Sequence, residues 1–335
     1  MKKIAIFGGL GFVGVHLAEY IKNNFQETEI LLFDIYSLSD ICDYRKKILD
    51  SSRISVHFCD VRKLINFKEH KDIDLIINLA AVHREPGHDH EEYFHTNIPG
   101  AKNICGWADM IDCKSIIFSS SIAPYGTKNN KVKDEETIPC PDSAYGSSKL
   151  AAEKIHEIWR SDDKEKKLLI VRPGVIYGPT EGGNVNRLLK ILKYKFFIFT
   201  GNKDVRKAGI YIKELCHAIF WLHDKNHKNE TILANLTYWP CPSLYDYISE
   251  MTKTKNTKIF NINVPFKFIY FLSVLTSPLS KIFSKLNFFH PVRIQKLRRG
   301  NHIKPQTLID YKYKWKYNFS SSFDDWLKSC KEEWN

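Results

Sequence analysis

A tyrosine and a lysine stand four residues apart in the stretch SAYGSSKLAAEK, residues 143–154. Residues at this spacing lie on one face of a helix, one turn above the other. A free phenol ionises only near pH ~10, but an ammonium held close to it favours the phenolate and lowers the pKa of the phenol. Tyr145 and Lys149 could therefore exchange a proton with an alcohol or sugar hydroxyl while a hydride leaves the same carbon. In isolation, an ordinary helix surface is the simpler interpretation of the pair.

A glycine-rich turn, GGLGFVG, follows the first predicted strand and opens a predicted helix. Gly8 permits the tight turn, Gly11 lets the backbone approach a pyrophosphate, and Gly14 lets helix and strand pack closely. The helix N-terminus offers N–H groups and a partial positive charge to the phosphates. Asp34 ends the second predicted strand, where an acid accepts hydrogen bonds from a ribose 2′-hydroxyl and repels a 2′-phosphate. The turn therefore predicts dinucleotide binding and favours NAD over NADP.

Three serines end another predicted strand in IIFSSSIAPYG. Taken alone, they are best interpreted as a polar loop with helix-capping side chains. With a nicotinamide in the crevice at the carboxyl ends of the strands, however, Tyr145 and Lys149 become a proton relay coupled to hydride transfer. Ser121 could then hydrogen-bond the same reacting oxygen as Tyr145.

The elements that would position these residues alternate between strand and helix along the N-terminal half. The apolar runs are nearly continuous, which is typical of strands covered on both faces of a parallel sheet. The pattern predicts an α/β fold with a doubly wound parallel sheet, a Rossmann arrangement, and a smaller C-terminal substrate-binding lobe. The predicted strands are KKIAIFGG, EILLFD, ISVHFCD, DLIINLAA, KSIIFSSS and KLLIVRPG, and the predicted helices cover 13–25, 93–111 and 145–159.

The alternation ends near Gly178, after which aromatic, Asn and Lys residues become more frequent. We assign 1–178 to the dinucleotide-binding domain and expect about 205–235 to rejoin it. Within that return, AGIYIKELCHAIFWLHD predicts a strand and a helix of the sheet domain. The substrate-binding lobe would comprise 179–204 and 236–335.

The composition, 43% apolar and 26% charged, is that of a soluble globular protein. No apolar run reaches the roughly 18 residues that span a bilayer. The start of the chain resembles a signal peptide only faintly, because its glycines fall too early and no small-residue cleavage site follows, so we expect a cytoplasmic protein. The eight cysteines are scattered without a C-x-x-C pair, which predicts reduced thiols and no metal site.

Several of these motifs occur together and in chain order: the glycine turn, Asp34, Asp60 after the third strand, NLAA, Asn97 in NIPGAKN, SSSIAPYG, YGSSK and RPGVIYGP. In this combination the sequence resembles the extended short-chain dehydrogenase/reductase superfamily, in its nucleotide-sugar epimerase and dehydratase branch. The resemblance is strong over the N-terminal half and loose beyond it. It implies NAD as cofactor, a nucleotide-diphosphate sugar as substrate, and a homodimer formed through the helices 93–111 and 145–159.

The resemblance also implies roles for individual residues. Tyr145 would be the acid/base, Lys149 would lower its pKa and hold the nicotinamide ribose, and Ser121 would assist. Asp60 would bind adenine. The implied cofactor-binding residues are Gly8, Gly11, Phe12, Val13, Gly14, Asp34, Asp60, Val61, Leu79, Ala80, Ala81, Asn97, Ser119, Tyr145, Lys149 and Pro173. The candidate substrate-binding residues of the chain are His83, Ser121, Tyr145, Asn184, Lys207 and Arg298.

Departures from the family pattern narrow the reaction. Dehydratases and decarboxylases of this family place an acid just after the serine, where this chain has Ile122 and Ala123, so we do not expect elimination of water. Val175 stands where an Asn often helps to hold the nucleotide sugar. Lys207 replaces an arginine, and a lysine binds phosphate as a point charge without the forked contact of arginine. The identity of the substrate therefore stays open.

Positive charge is concentrated near the C-terminus of this chain of net charge +12. Between Met251 and Ile309 there are eleven Lys and Arg residues and no Asp or Glu. Within this segment 265–289 is apolar with interspersed lysines, and Pro278 should break it into two helices. We favour packing of these helices as the wall of the sugar pocket; the alternative is peripheral contact with a membrane surface. Nucleic acid binding is not expected, because no nucleic-acid module is recognisable.

The leading hypothesis is an NAD-dependent nucleotide-diphosphate-sugar epimerase acting at C4 through a transient 4-keto sugar. No net redox change occurs in that reaction, which suits a tightly kept NAD. One alternative is a 4-ketoreductase that uses the same residues once. Another is a non-catalytic dinucleotide-binding regulator, against which the intact Ser121, Tyr145 and Lys149 argue.

Overall fold

A central parallel sheet and the helices on its two faces make up most of the structure. The computed structural model describes residues 1–84, 87–127, 131–226, 230–280 and 300–335. The strands are β1 (Lys3–Phe7), β2 (Glu29–Asp34), β3 (Ile54–Phe58), β4 (Leu75–Asn78), β5 (Ser115–Ser119), β6 (Lys167–Pro173), β7 (Val175–Tyr177), β8 (Phe196–Thr200), β9 (Gly209–Tyr211), β10 (Thr231–Leu236) and β11 (Phe260–Val264). The main sheet has seven strands in the order β10-β6-β5-β4-β1-β2-β3.

The helices connect these strands and cover the sheet. They are α1 (Phe12–Asn24), α2 (Asp43–Leu49), α3 (His90–Met110), α4 (Ala144–Ser161), α5 (Asn184–Leu192), α6 (Ile212–Lys225), α7 (Leu244–Thr254) and α8 (Phe266–Ser280), followed by the helices Gln306–Asp310 and Phe319–Ser329. Single 3₁₀ turns occur at Leu38–Asp40, Ala123–Tyr125 and Lys331–Glu333.

The sheet has a buried core on each face because side chains alternate along a strand. In β1, Ile4 and Ile6 pack into one core, whereas Ala5 and Phe7 pack into the other. Helices α1 and α6 contribute to the first core, and α3 and α4 to the second. All neighbouring strands of the main sheet run parallel. The predicted doubly wound α/β fold is confirmed, and the six predicted strands are β1 to β6.

The chain returns to the sheet by a different strand from the one predicted. The segment AGIYIKELCHAIFWLHD forms β9 and α6, and α6 packs against α1 of the sheet domain. However, β9 pairs with β7 in a separate two-stranded sheet. The register is set where the N–H of Val175 donates to the carbonyl of Ala208 at 2.9 Å, directly after β6 ends. The strand that joins the edge beside β6 is β10, which the sequence analysis did not single out. The domain boundaries stay a prediction.

Helix α8 continues to Ser280, past the predicted break at Pro278. A proline removes one N–H donor and so costs the helix one hydrogen bond, which does not end α8 here. The second predicted helix of this segment lies outside the described residues. In the described ranges, no helix combines the length and apolar character that crossing a membrane requires.

Two glycines should respond in opposite ways to replacement by alanine. A Cβ on Gly14 would lie 2.6 Å from the carbonyl oxygens of Gly8 and Gly9, so Gly14→Ala should lower the free energy of unfolding by about 1–3 kcal/mol. Beyond the backbone of its own helix, no described residue places an atom within 4 Å of a Cβ on Gly106, an exposed residue of α3. Gly106→Ala should therefore raise the free energy of unfolding by about 0.5–1 kcal/mol. Urea denaturation measures both. A neutral Gly14→Ala would contradict the close packing of the turn.

Candidate active site

The glycine turn leaves an uncapped helix N-terminus at the carboxyl edge of the sheet. Gly8 has φ +75°, which disfavours any L side chain, and a Cβ there would lie 3.0 Å from the backbone N of Ala80. Gly11 is the N-cap residue of α1 and offers no capping side chain. The N–H groups of Phe12 and Val13 therefore have no acceptor within the helix. Such N–H groups, together with the helix dipole, suit a diphosphate.

Asp34 lies buried beside this turn, at the end of β2. Its Oδ2 accepts a hydrogen bond from the N–H of Leu10 at 2.9 Å, and its Oδ1 accepts one from the N–H of Tyr36 at 3.2 Å. A carboxylate has about four acceptor sites, so both oxygens can still accept from ribose hydroxyls. The residue thus fits its predicted role toward the ribose of NAD.

Asp60 follows β3 and is already engaged by a basic side chain. The Arg62 guanidinium donates to it through Nε at 2.8 Å and through Nη2 at 2.7 Å. These hydrogen bonds hold the pKa of the carboxyl below its usual range. A contact with adenine would therefore share the carboxylate with Arg62. The carbonyl of the adjacent Val61 accepts from Asn103 Nδ2 at 2.8 Å, which ties this loop to α3.

The loop after β4 is fixed to α4 by one buried amide. Asn97 of α3 accepts from the N–H of Val82 at 2.9 Å and donates through Nδ2 to Ser148 Oγ at 2.9 Å. Ser148 Oγ in turn donates to the carbonyl of Tyr145 at 2.9 Å. This chain of hydrogen bonds places the predicted cofactor residues Leu79–Ala81 beside the first turn of α4.

Helix α4 begins at a capped end that positions Tyr145. The Oγ of Ser143 accepts from the N–H of Gly146 at 3.1 Å, which satisfies one N–H of the first turn. Tyr145 is half-buried, and its ring centroid lies 6.1 Å from that of Tyr93 in α3. The Tyr93 hydroxyl donates to the carbonyl of Arg84. The start of α4 and the loop after β4 are thus held together around Tyr145.

Lys149 is only 2% exposed, one turn further along α4. Its Nζ lies 4.5 Å from the centroid of the Phe118 ring, and in the described part of the chain it has no hydrogen-bond acceptor. Burial lowers the pKa of Lys149 to about 7, although the nearby Glu153 carboxylate acts in the opposite direction. A buried ammonium without an acceptor is unfavourable. Its free donors fit the ribose hydroxyls of a dinucleotide, so the residues present suit NAD.

The serine loop after β5 has two different attachments. Ser120 Oγ donates to Glu153 Oε1 at 2.5 Å, deep in the core. Ser121 Oγ accepts from the N–H of Ala123 at 3.1 Å. Because that bond uses only an acceptor site, the hydroxyl proton of Ser121 stays available to a reacting oxygen.

The predicted substrate-binding residues are spread more widely. His83 is an exposed residue of the loop after β4, and desolvation of its imidazole by neighbouring groups lowers its pKa. Asn184 is exposed at the start of α5. Lys207 donates its backbone N–H to the carbonyl of Pro242 at 2.8 Å, and burial lowers the pKa of its side chain to about 8. Arg298 lies outside the described residues.

The structure gathers most of the predicted cofactor and catalytic residues at the carboxyl ends of β1 to β6 and at the starts of α1 and α4. Their roles stay predictions. Those at strand ends or in the loops that follow are Gly8, Asp34, Asp60, Leu79, Ala80, Ala81, Ser119, Ser121 and Pro173, and those at the helix starts are Gly11, Phe12, Val13, Gly14, Tyr145 and Lys149.

A buried ion pair under the site was missed by the sequence analysis. Arg172 of β6 donates through Nε to Glu153 Oε1 at 2.8 Å and through Nη2 to Oε2 at 2.6 Å, and both residues are almost fully buried. Glu153 also accepts a hydrogen bond from Ser120 and lies one helical turn from Lys149. The available signal was the position of Glu153 four residues after Lys149, on the same helix face as the tyrosine and lysine.

Comparison with known proteins places this geometry in context. The sequence model of the NAD dependent epimerase/dehydratase family matches residues 4–234. The N-acetyl-alpha-D-glucosaminyl-diphospho-ditrans,octacis-undecaprenol 4-epimerase of Escherichia coli O157:H7 is 28% identical over 301 residues, 88% of this chain and 84% of that protein.

Solved structures show the same fold. The UDP-glucuronic acid 4-epimerase from Bacillus cereus in complex with NAD has a TM-score of 0.75 at 18% identity, covering 99% of this chain and 100% of that one. The UDP-N-acetylglucosamine 4-epimerase from Bacillus cereus has a TM-score of 0.74 at 18% identity, covering 97% and 98%. At this level of identity the likeness concerns the fold.

Breaking the buried ion pair should destabilise the protein strongly. Glu153→Gln leaves the Arg172 guanidinium buried without its counter-charge, so we expect the free energy of unfolding to fall by about 3–5 kcal/mol in urea denaturation. Glu157→Gln is the matched control, because Glu157 pairs with Lys154 on the exposed side of the same helix at 2.7 Å. It should cost less than about 1 kcal/mol. Similar losses in both variants would contradict the assigned importance of the buried pair.

NAD binding should draw a proton onto Lys149. With a pKa of about 7 the free Nζ is largely uncharged at pH 8, and hydroxyl acceptors from the ribose would favour its charged form. Calorimetric titrations at about pH 8 in buffers of different ionisation enthalpy should show uptake approaching one proton per site. Lys149→Met should abolish the uptake, whereas Asp34→Asn should weaken binding without removing it. Uptake that persists in Lys149→Met would refute the assignment.

Proposed function

Because the chain belongs to the NAD dependent epimerase/dehydratase family, we propose that it is a nucleotide-diphosphate-sugar epimerase acting at C4 through a transient 4-keto sugar. The observation that carries this proposal is the buried Lys149 side chain, which has no hydrogen-bond acceptor among the described residues and lies one turn beyond Tyr145, at the edge where the glycine turn, Asp34 and Ser121 converge. The family description agrees with the predicted cofactor, NAD.

Three side chains have separate roles in the proposed reaction. Tyr145 takes the proton from the C4 hydroxyl through its phenol oxygen and later returns it. Lys149 holds the ribose through Nζ and favours the phenolate through its charge. Ser121 donates its hydroxyl proton to the reacting oxygen, since the N–H of Ala123 occupies only an acceptor site. NAD, which Asp34 and Lys149 would hold, would supply a reversible hydride acceptor for C4. Turning over of the 4-keto sugar in the pocket would bring the returning hydride to its other face, which inverts C4 without a net redox change.

The loop after β5 supports epimerisation over dehydration. Ile122 and Ala123 follow Ser121, so no acid stands there to serve a second proton transfer. A 4-ketoreductase remains the second candidate, because it would use the same three side chains once. Asp34 weighs against it, since the carboxylate would repel the 2′-phosphate of NADPH, a common donor for biosynthetic reductions.

The substrate's carrier group is a separate part of the proposal. The B. cereus relatives are named for UDP-linked sugars, and the E. coli relative is named for a sugar on undecaprenol diphosphate. All of these carriers present a diphosphate, for which Lys207 is the proposed point-charge ligand. A nucleotide carrier is the primary candidate. A polyprenol carrier is the second, favoured by the exposed apolar side chains of α8.

The quaternary and cellular arrangement also belongs to the proposal. A homodimer through α3 and α4 is supported by the exposed apolar side chains of Met110 and Ile158 near the C-terminal ends of these helices. A cytoplasmic location and peripheral membrane contact through 265–289 complete the proposal.

Purified protein should interconvert C4 epimers of UDP- or dTDP-hexoses without added cofactor. Tyr145→Phe removes the proton carrier, so kcat should fall by about 10²–10⁴-fold while NAD binding and the unfolding temperature are retained. Tyr311→Phe, at an exposed tyrosine, is the matched control and should leave kcat unchanged. Consumption of NADH or NADPH with a 4-keto sugar, without epimerisation, would select the ketoreductase. Full activity in Tyr145→Phe would refute the proposed acid/base.

A further inference from the structure

Helix α8 turns an apolar stripe outward. Its members follow the i, i+3, i+4, i+7 spacing of a single helix face and are each between 40% and 60% exposed. The buried positions of the helix include Ile269 and Ser273. In a soluble protein such a stripe normally faces the core, so its exposure calls for a partner. The stripe consists of Phe268, Phe271, Leu272 and Leu275.

The strand pair before α8 extends the exposed apolar surface. Strands β8 and β11 are parallel and in register, so Phe196 lies opposite Phe260 and Ile198 opposite Ile262. Side chains two residues apart share a face of the pair. All four are exposed, and the rings of the two phenylalanines stack at 5.9 Å. Only Pro265 separates β11 from α8.

The sequence segments that carry this surface contain ionised groups of one sign. The chain carries no Asp or Glu between Met251 and Ile309, nor in 182–203, the segment that contains β8. Lys193, Lys195 and Lys255 lie close enough that, after burial, the first two lower the pKa of Lys255. Lys267 is exposed on α8 itself. An apolar stripe with lysines and without acids is complementary to an anionic lipid interface.

We propose that α8 and the β8–β11 pair form a docking surface for an anionic phospholipid bilayer. The stripe would enter the boundary between headgroups and acyl chains, and the lysines would face the lipid phosphates. The charge pattern selects a bilayer over a protein partner, which would have to supply a wholly acidic counterpart. Binding to the bilayer does not depend on the proposed function, but its biological role does. Docking would bring the active site within reach of a sugar diphosphate whose carrier lies in the membrane.

Vesicle flotation of the full chain tests this surface. The protein should float with vesicles of phosphatidylcholine and phosphatidylglycerol, and much less with phosphatidylcholine alone. Phe268→Ser combined with Phe271→Ser and Leu275→Ser should reduce the partition coefficient at least about tenfold. Lys258 is exposed two residues before β11, and replacement of Lys258 and Lys267 by Gln should reduce the partition coefficient by roughly fivefold for each lysine. Leu64→Ser combined with Ile138→Ser, at exposed apolar residues elsewhere, is the matched control and should change nothing.

Three other results would each overturn docking. If the triple serine variant changes the molar mass measured by light scattering, the stripe contacts a second copy of the chain. If it raises KM for a soluble nucleotide sugar without vesicles, the stripe is a wall of the sugar pocket. If the protein floats equally well with neutral and with anionic vesicles, lipid charge has no part in binding. Anionic flotation without epimerase activity leaves docking intact and refutes only the proposed function.

Discussion

The burial of one ammonium group is the constraint around which the site is organised. Lys149 lies against the Phe118 ring in the core, where a charge is tolerated only if something compensates it. Glu153 supplies an opposite charge one turn along α4, and Arg172 fixes Glu153 from β6. The same carboxylate binds Ser120 and so anchors the loop that carries the predicted catalytic serine. The contacts of Glu153 thus fix α4, which carries Tyr145 and Lys149, relative to the sheet.

The parallel sheet explains why the remaining groups meet at one edge. Every strand of the main sheet presents its carboxyl end on the same side, so the loops that follow β1, β2, β4 and β5 are neighbours although they are distant in sequence. Gly8 lets the loop after β1 approach the backbone of Ala80, and Asn97 links the loop after β4 to α4. The edge is therefore held by backbone packing and a few buried polar contacts.

The sequence predicted what is encoded locally. The apolar runs of β1 to β6 and the glycine turn each carry a complete signal within a short window, and the fold follows from them. By contrast, the edge position of β10 and the pairing of β9 with β7 depend on tertiary competition between similar apolar segments. The pairing of Glu153 with Arg172 was not predictable either, because the partner lies on a strand whose register no local pattern fixes. The predicted positions of Asn184 and Lys207 rested on family resemblance, and the exposed face of α8 rests on how the lobe packs.

The place of β10 has a consequence for how the protein is made. The chain leaves the main sheet at Pro173 and completes its edge only with Thr231–Leu236. While the ribosome synthesises the intervening residues, β6 presents unpaired backbone groups to its surroundings, which is the situation that invites strand addition by other chains. The nascent protein thus needs β10 to cover the edge of β6. A chain truncated before β10 would keep that edge exposed and would be prone to aggregate.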